Sequence, residues 1–333
     1  MPVSIGHVVA GRYRLGRRIG AGAFGEVFIG EDICTGTELA VKLEPLTAKS
    51  PRLLYEAKLC SHLSGAPGIP AVQWSGVEGE HAVMVTELLG PSLEDLLKFC
   101  SGHFRLKTVL MVAEQVLNRI EHVHTRGIVH RDIKPDNFVI GLGAKANLVH
   151  IIDFGLAGHF REAPRKDDRE GRGLVGTARF ASINAHLGHE QSPRDDLEAI
   201  GYMLVYFSQG RLPWQGIQAS SPRRRHDMIG ELKRSTPSKV LCRSLPAEVC
   251  TYLDYCRGLA FGQRPDYDFL RRLLHDVFLR ERYRVDFTFE WTLEALGLDS
   301  AARELADREG PEPHAAAIVE EPKSEPAMVE VVG

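Results

Sequence analysis

Long apolar runs are missing from this sequence: nothing in its 333 residues approaches the roughly 18 consecutive apolar side chains that a membrane-spanning helix needs. The six cysteines (Cys34, Cys60, Cys100, Cys242, Cys250, Cys256) form no C-x-x-C pair and have no histidine at ligand spacing. That argues against a zinc site and for reduced thiols in an intracellular protein. Excess charge is scarce as well. The formal net charge is −3, and residues 307–333 alone hold seven acidic and two basic side chains, so the body before them is weakly basic. Such a balance is too small to argue for nucleic acid and fits acidic or phosphorylated ligands. The opening "MPVSIGHVVAGRYRLG" has no charged-then-apolar signal architecture, Pro2 excludes myristoylation, and "EVVG" is no prenylation signal. The expectation is a soluble monomer of the cytoplasm, the nucleus or both, without nucleic-acid or membrane partners.

What is there is an ordinary globular composition, 44% hydrophobic and 26% charged, in a length suited to two domains or one large two-lobed one. Residues 13–44 alternate like strands. "YRLGRRI", "EVFIGEDI" and "TELAVKLE" are rich in β-branched and aromatic side chains, with the turn "CTG" before the last. "PRLLYEAKLCSHL" (51–63) follows as a helix, with Pro51 placed to start it and Gly65 to end it, and "HAVMVTELL" (81–89) reads as a further strand. From about residue 92 the period changes. Leu106, Val109, Leu110, Ala113, Val116, Leu117, Ile120 and Val123 recur at three- and four-residue steps, one apolar stripe on a long helix. "DLEAIGYMLVYF" (196–207) is apolar nearly all round, as a helix at the centre of a helical lobe would be. The expected fold is α+β and bilobal: a small antiparallel-sheet lobe with one helix, then a large, mostly helical lobe. Residues 299–333, rich in Glu, Pro and Ala, are expected to form an acidic, disordered tail.

Gly20, Gly22 and Gly25 in "IGAGAFGEV" (19–27) keep the G-x-G-x-x-G spacing, which lets backbone amides approach a phosphate with no Cβ in the way. Two unrelated structures use it: the dinucleotide-binding βαβ unit and the loop that covers ATP in protein kinases. The first needs a helix starting at the third glycine, and Glu44 would then stand in for its ribose-binding acid. After Gly25, however, come a strand, a turn and another strand. These glycines tip a β-hairpin, and the dinucleotide reading falls.

Transfer of a γ-phosphoryl group asks for held phosphates, a bridging metal and an aligned hydroxyl, with little covalent help. Lys42 in "AVK" sits on the third of these strands, where an ammonium reaches α- and β-phosphates, and Glu56 on the following helix is the carboxylate expected to hold it. "HRDIKPDN" (130–137) offers Asp132 to accept the hydroxyl proton and Lys134 as a second cation beside the transferring group. Asn137 and Asp153, the latter in "IIDFGLA" (151–157), are hard oxygen ligands suited to Mg2+. Alone, each of these residues reads equally as surface or loop polarity. The H-R-D-x-K-x-x-N spacing followed by strand-D-F-G does not.

On these motifs the chain resembles a eukaryotic protein kinase from about Gly11 to Leu298, with a smaller lobe over about 11–89 and a larger one over about 90–298. Lys134, two residues after Asp132, is the serine/threonine form. The resemblance implies ATP and Mg2+ as cofactors. It places Ile19, Gly20, Gly22, Gly25, Val27, Ala40 and Lys42 around the nucleotide and the backbone of Glu87 and Leu89 at the adenine edge. Pseudokinases usually lose the lysine, the catalytic aspartate or the DFG aspartate. Lys42, Asp132, Asn137 and Asp153 are all present, so an active enzyme is expected.

Where most protein kinases close the activation segment with Ala-Pro-Glu, this chain reads "GTARFASIN" (176–184). With "LLGPSLEDL" (88–96), "LPWQG" (212–216) and "CRGLAFGQRPDYDFLRRL" (256–273), that replacement is similar to the casein kinase I family. "LPWQG" and "SIN" together favour its core over the tau-tubulin and vaccinia-related kinases. The likeness implies Asp196 as the buried acid bracing the catalytic loop, acidic or pre-phosphorylated protein substrates as partners, and no need of activation-loop phosphorylation. It also implies an anion site from Arg179, Arg225 and the backbone at Gln215 and Gly216, with two guanidinium groups suited to bidentate phosphate recognition. "RRR" at 223–225 reads otherwise as a solvated basic face or a nuclear-localisation signal. No run of acids lies near 179 or 223–225, against a basic-directed kinase.

The chain also departs from that family. Gly158-His159 replace its usual two lysines, leaving Arg131 and Arg172 for a weakened second anion pocket, and the segment from His159 to Arg179 is a few residues short. Thr86 stands where the family commonly has Met, which should open the apolar space behind the adenine. Ser324 is the only hydroxyl residue after Ser300, so inhibition by heavy tail autophosphorylation is not expected.

Overall fold

The computed structural model describes residues 5–22, 25–48, 50–161, 163 and 173–295; the expected tail lies outside them. The first lobe is a six-stranded antiparallel sheet of β1 (Val8–Val9), β2 (Tyr13–Gly22), β3 (Gly25–Asp32), β4 (Glu38–Pro45), β5 (Val72–Glu78) and β6 (His81–Glu87), in the order β1-β2-β3-β4-β6-β5. Alternation sorts β4 into two faces. Leu39, Val41 and Leu43 join Tyr13, Leu15, Phe28, Val83 and Val85 in one core. Lys42 and Glu44, on the other face, reach toward α1 (Leu53–Leu63), whose Leu53 and Ala57 pack on Ala82 and Met84 of β6. The β2–β3 hairpin closes with Gly22 opposite Gly25. Gly25 has φ +119, and a Cβ there would lie 2.0 Å from the Leu43 carbonyl oxygen, so this position admits only glycine.

Two details differ from the sequence reading. β5 was not expected, because "VQWSGVE" carries Ser75 and Gly76 and only two β-branched residues. As an edge strand it needs little more than its backbone pairing with β6, and the Trp74 ring covers Gly76. Helix α1 starts at Leu53, not at Pro51, and ends at Leu63, just before Gly65 at φ +91.

The second lobe is helical, with α2 (Leu93–Phe99), α3 (Leu106–Thr125), α4 (Ile183–His186), α5 (Pro193–Gln209), α6 (Pro222–Ser235), α7 (Ser238–Leu241), α8 (Ala247–Gly258), α9 (Tyr267–Arg280) and α10 (Glu290–Ala295). Two short antiparallel pairs interrupt it: β7 (Ile128–Val129) with β10 (Gly158–His159), and β8 (Phe138–Ile140) with β9 (Val149–Ile151). The stripe on α3 is buried from Val109 to Val123, with Leu106 at its partly covered edge. α5 is buried nearly all round and packs on α3 and α8. The fold is therefore the expected bilobal α+β arrangement. Among the described residues no helix is long and apolar enough to cross a membrane.

The chain leading into α4 is gripped from α6. Lys233 of α6 is wholly buried and donates to the carbonyls of Ala178 (2.8 Å) and Ala181 (2.5 Å), with its ammonium 4.8 Å and 5.0 Å from the rings of Tyr202 and Trp214. His186 Nε2–H donates to the same Ala178 carbonyl at 3.1 Å. Burial, then the nearby Lys233, lowers the His186 pKa from 6.5 to about 4. The unfolded chain thus takes up this proton first as the pH falls. Stability from this group is fully present above 6.5 and is lost on going down toward about 4, by up to roughly 1.4 kcal/mol per pH unit. In a His186→Asn variant that share of the slope should vanish. Denaturant melts across this pH range check it, and coincident slopes for the two proteins would refute it.

Candidate active site

The site is organised around a carboxylate that never meets solvent. Asp196, on α5, accepts from the backbone N–H of His130 (2.7 Å) and of Arg131 (2.9 Å) and pairs with His124 Nε2 at 2.9 Å. Burial alone would raise its pKa, but the His124 hydrogen bond and charge outweigh that and hold it below the usual carboxylate value. The bracing position expected for Asp196 is the one it occupies. Its two oxygens fix the loop after β7, where Arg131 sits at φ +68. His130 Nε2–H reaches across to the Ile152 carbonyl at 3.0 Å, and its ring meets the buried Phe154 edge-on at 5.1 Å.

Asp132 is thereby presented with both oxygens engaged. Oδ1 accepts from the Thr177 N–H (2.8 Å) and hydroxyl (2.7 Å). Oδ2 accepts from Lys134 Nζ at 2.7 Å and from Asn137 Nδ2 at 3.3 Å. Asn137 Nδ2 also donates to the Asp132 carbonyl at 2.8 Å, which turns its amide nitrogen inward and leaves its oxygen as the hard donor. Asp153, at φ +63, accepts from the Gly155 N–H at 3.3 Å and lies 3.5 Å from Lys42 Nζ. Lys42 also donates to both oxygens of Glu56, at 2.8 and 3.0 Å.

One ammonium thus stands between two carboxylates, and the pKa shifts follow. Burial pushes Lys42 down, but Glu56 and then Asp153 raise it above the ordinary lysine value. Burial pushes Glu56 up and Lys42 draws it down, and with Asp153 adding to the rise the carboxyl ends above its usual value. Burial likewise presses on Asp153, but there Lys42 prevails and the carboxyl is lowered, so it is ionised at neutral pH.

These groups open onto a cavity of about 530 Å3 between the lobes. Ile19, Gly20, Gly25, Val27 and Ala40 line it from the sheet, Thr86 to Gly90 from the connection between lobes, and Val139 and Ile152 from the helical lobe. Lys42, Glu56, Asn137 and Asp153 complete the wall at its polar end. Gly22 lies at the hairpin tip, and Asp132 and Lys134 adjoin the cavity through Asn137. At the connection, the Glu87 side chain accepts from Ala71 N–H (3.0 Å) and Lys145 Nζ (2.9 Å), tying the segment to the helical lobe. The Glu87 N–H donates to the Ala71 carbonyl, whereas no backbone carbonyl of the described residues accepts from Leu89 N–H.

Among the described residues no cluster of three or more His, Cys, Asp or Glu side chains forms a metal cage. The ionised Asp153 and the oriented oxygen of Asn137 offer two hard oxygen ligands, which fits a divalent ion completed by a ligand's own oxygens.

The expected substrate-side residues are less converged. Arg179 lies over the rings of Phe180 and Tyr206, at 5.7 and 5.5 Å, and its carbonyl accepts from Trp214 Nε1 at 2.7 Å. That bond ties the Leu212–Gln215 turn, which Gly216 (φ +78) follows, to the Arg179 backbone. Arg225 is exposed on the first turn of α6 and meets no acid among the described residues. Arg131 packs against Gly158, where a Cβ would lie 3.0 Å from its guanidinium carbon. It lines a second cavity of about 560 Å3 with Arg52, Tyr55, His159 and Arg161. Arg172 falls outside the described residues.

Four contributors escaped the sequence reading: Thr177, Glu44, Val139 and Ile152. The last two had a signal, since they stand two residues after Asn137 and one before Asp153.

A hairpin of glycines over a cleft, a strand lysine paired to a helix glutamate, and two acidic loops meeting beneath them define an ATP-using phosphotransferase. The family model of the protein kinase domain matches residues 13–277, and the chain belongs to the protein kinase family. It is a protein kinase, transferring phosphoryl groups to protein substrates.

Thr86 lines the cavity beside Met84 and Cys60. ATP-competitive inhibitors with a bulky group aimed behind the adenine should therefore lose about tenfold or more in potency against Thr86→Met. Inhibition curves at fixed ATP saturation check this, and equal potency contradicts it.

Proposed function

We propose that this chain is a serine/threonine protein kinase of the casein kinase I type, acting on acidic or phosphate-primed protein substrates. The observation that carries the catalytic part is the convergence of Lys42, Glu56, Asn137 and Asp153 on one cavity, with Asp132 linked to it through Asn137. In this reading Lys42, steadied by Glu56, binds the α- and β-phosphates. Ile19, Gly20, Val27, Ala40 and Val139 enclose the adenosine, and the Glu87 carbonyl and Leu89 N–H meet the adenine edge. Asn137 and Asp153 hold Mg2+, which when bound neutralises phosphate charge. Asp132 orients the acceptor hydroxyl and takes its proton, while Lys134 and Thr177 hold the carboxylate in place.

Lys134 in "HRDIKPDN" supports serine/threonine acceptors. "GTARFASIN" in place of Ala-Pro-Glu, with "LPWQG", supports the casein kinase I type. Arg179, a guanidinium braced on two aromatic rings without an acid partner among the described residues, supports anion recognition near the acceptor, with Gly216 and Arg225 completing it.

Two experiments test this. Labelled-phosphate transfer to casein should fall about 10²–10⁴-fold in Asp132→Asn; the same background from both proteins would withdraw the enzymatic reading. Paired peptides, with and without a phosphoserine three residues before the target, should differ in kcat/KM, and Arg179→Ala should shrink that preference about tenfold. No preference in the wild type would remove the anion-site argument and leave the kinase.

A further inference from the structure

The helix that carries Glu56 has no cap of its own. Arg52 stands at the N-cap of α1 and its side chain makes no capping bond, yet the first N–H groups of a helix have no partner inside it. The partner comes from the sheet. Glu44 Oε2 accepts from the N–H groups of Arg52 and Leu53, each at 2.7 Å, and the carboxylate is buried. A negative charge at this end also meets the favourable pole of the helix dipole.

The spacing makes this more than a cap. Glu44 is two residues beyond Lys42 on the same face of β4, roughly 6.7 Å along the strand. Glu56 is one turn into α1, roughly 5.4 Å along the helix, with its N–H donating to the Arg52 carbonyl at 2.8 Å. Strand and helix are therefore joined twice, over lengths that differ by only about 1 Å: Lys42 to Glu56, and Glu44 to the helix start. A third tie runs downward. Arg52 Nη1 donates at 3.2 Å to the carbonyl of Gly155, two residues past Asp153, and α1 packs on the Phe154–Leu156 turn.

We propose that Glu44 and Arg52 are positioning residues that latch α1 inward, so that the Lys42–Glu56 pair is held by the chain's own contacts. The kinetic part of this proposal rests on the kinase reading. An outward swing of α1 would strip a buried carboxylate of two donors and expose the helix start, as well as breaking the Lys42 pair. The catalytic lysine is then poised without any group added to the chain.

The test is amide hydrogen exchange of the full chain without nucleotide, joined to steady-state kinetics, for Glu44→Leu, Glu44→Gln and Arg52→Ala. In Glu44→Leu, exchange across residues 53–63 should rise about tenfold or more, with α3 and α5 unchanged, kcat lowered and KM for ATP raised. Glu44→Gln keeps an oxygen acceptor and loses the charge, so it should fall between this variant and wild type. Arg52→Ala alters an exposed side chain and should loosen α1 by a few fold while the cap persists. If Glu44→Leu does not fold, the other two decide. Unchanged α1 exchange in both, or a rise shared equally by α3 and α5, would overturn the latch. Since exchange is read without ATP, an inactive wild type would count against the enzymatic reading alone.

Discussion

The geometry of this enzyme depends on a carboxylate sealed inside the helical lobe. Asp196 reaches from α5 to the backbone of His130 and Arg131 and to the His124 ring. Each such charge-assisted hydrogen bond contributes roughly 1.5–3 kcal/mol, more than enough to offset the roughly 1–3 kcal/mol of holding Arg131 in the left-handed region. The consequence is rigidity where it is needed. Asp132 follows Arg131 directly, so the strained turn sets the direction of its carboxylate before Thr177, Lys134 and Asn137 refine it.

Above that loop, charge is arranged with a deliberate imbalance. Lys42 faces two carboxylates, Glu56 and Asp153, in a mostly buried cleft. A single ammonium cannot neutralise both, and the surplus negative charge is a standing invitation to a cation. Burial raises the Glu56 pKa and Lys42 lowers that of Asp153. The two acids thus differ in character: both oxygens of Glu56 are engaged by the lysine, while Asp153 lies further from it, at 3.5 Å, and its carboxyl is held below the usual value.

The segment between the two catalytic loops and α5 shows a different solution to a common need. It lacks the acid of an Ala-Pro-Glu closure, and a buried lysine, Lys233, grips the carbonyls of Ala178 and Ala181 from α6. The Tyr202 and Trp214 rings flank its amine, and burial still pushes the Lys233 pKa well below the ordinary lysine value. Arg179 lies between these two gripped carbonyls, so its backbone is fixed while its side chain rests on Phe180 and Tyr206.

Much of this was legible in the primary structure. Strand alternation and glycine spacing marked the hairpin, the three- and four-residue recurrence marked α3, and the fixed gaps around Asp132 and Asp153 marked the loops. Such signals are local, because strands, helices and tight turns impose short periods on the chain itself. Other features could be settled only by packing. β5 exists because β6 offers it an edge, α1 begins where Glu44 caps it from another element, and Thr177 reaches Asp132 from 45 positions away. No short-range pattern records which distant groups will share one buried space; that is decided when the core closes and each polar atom left inside must find a partner.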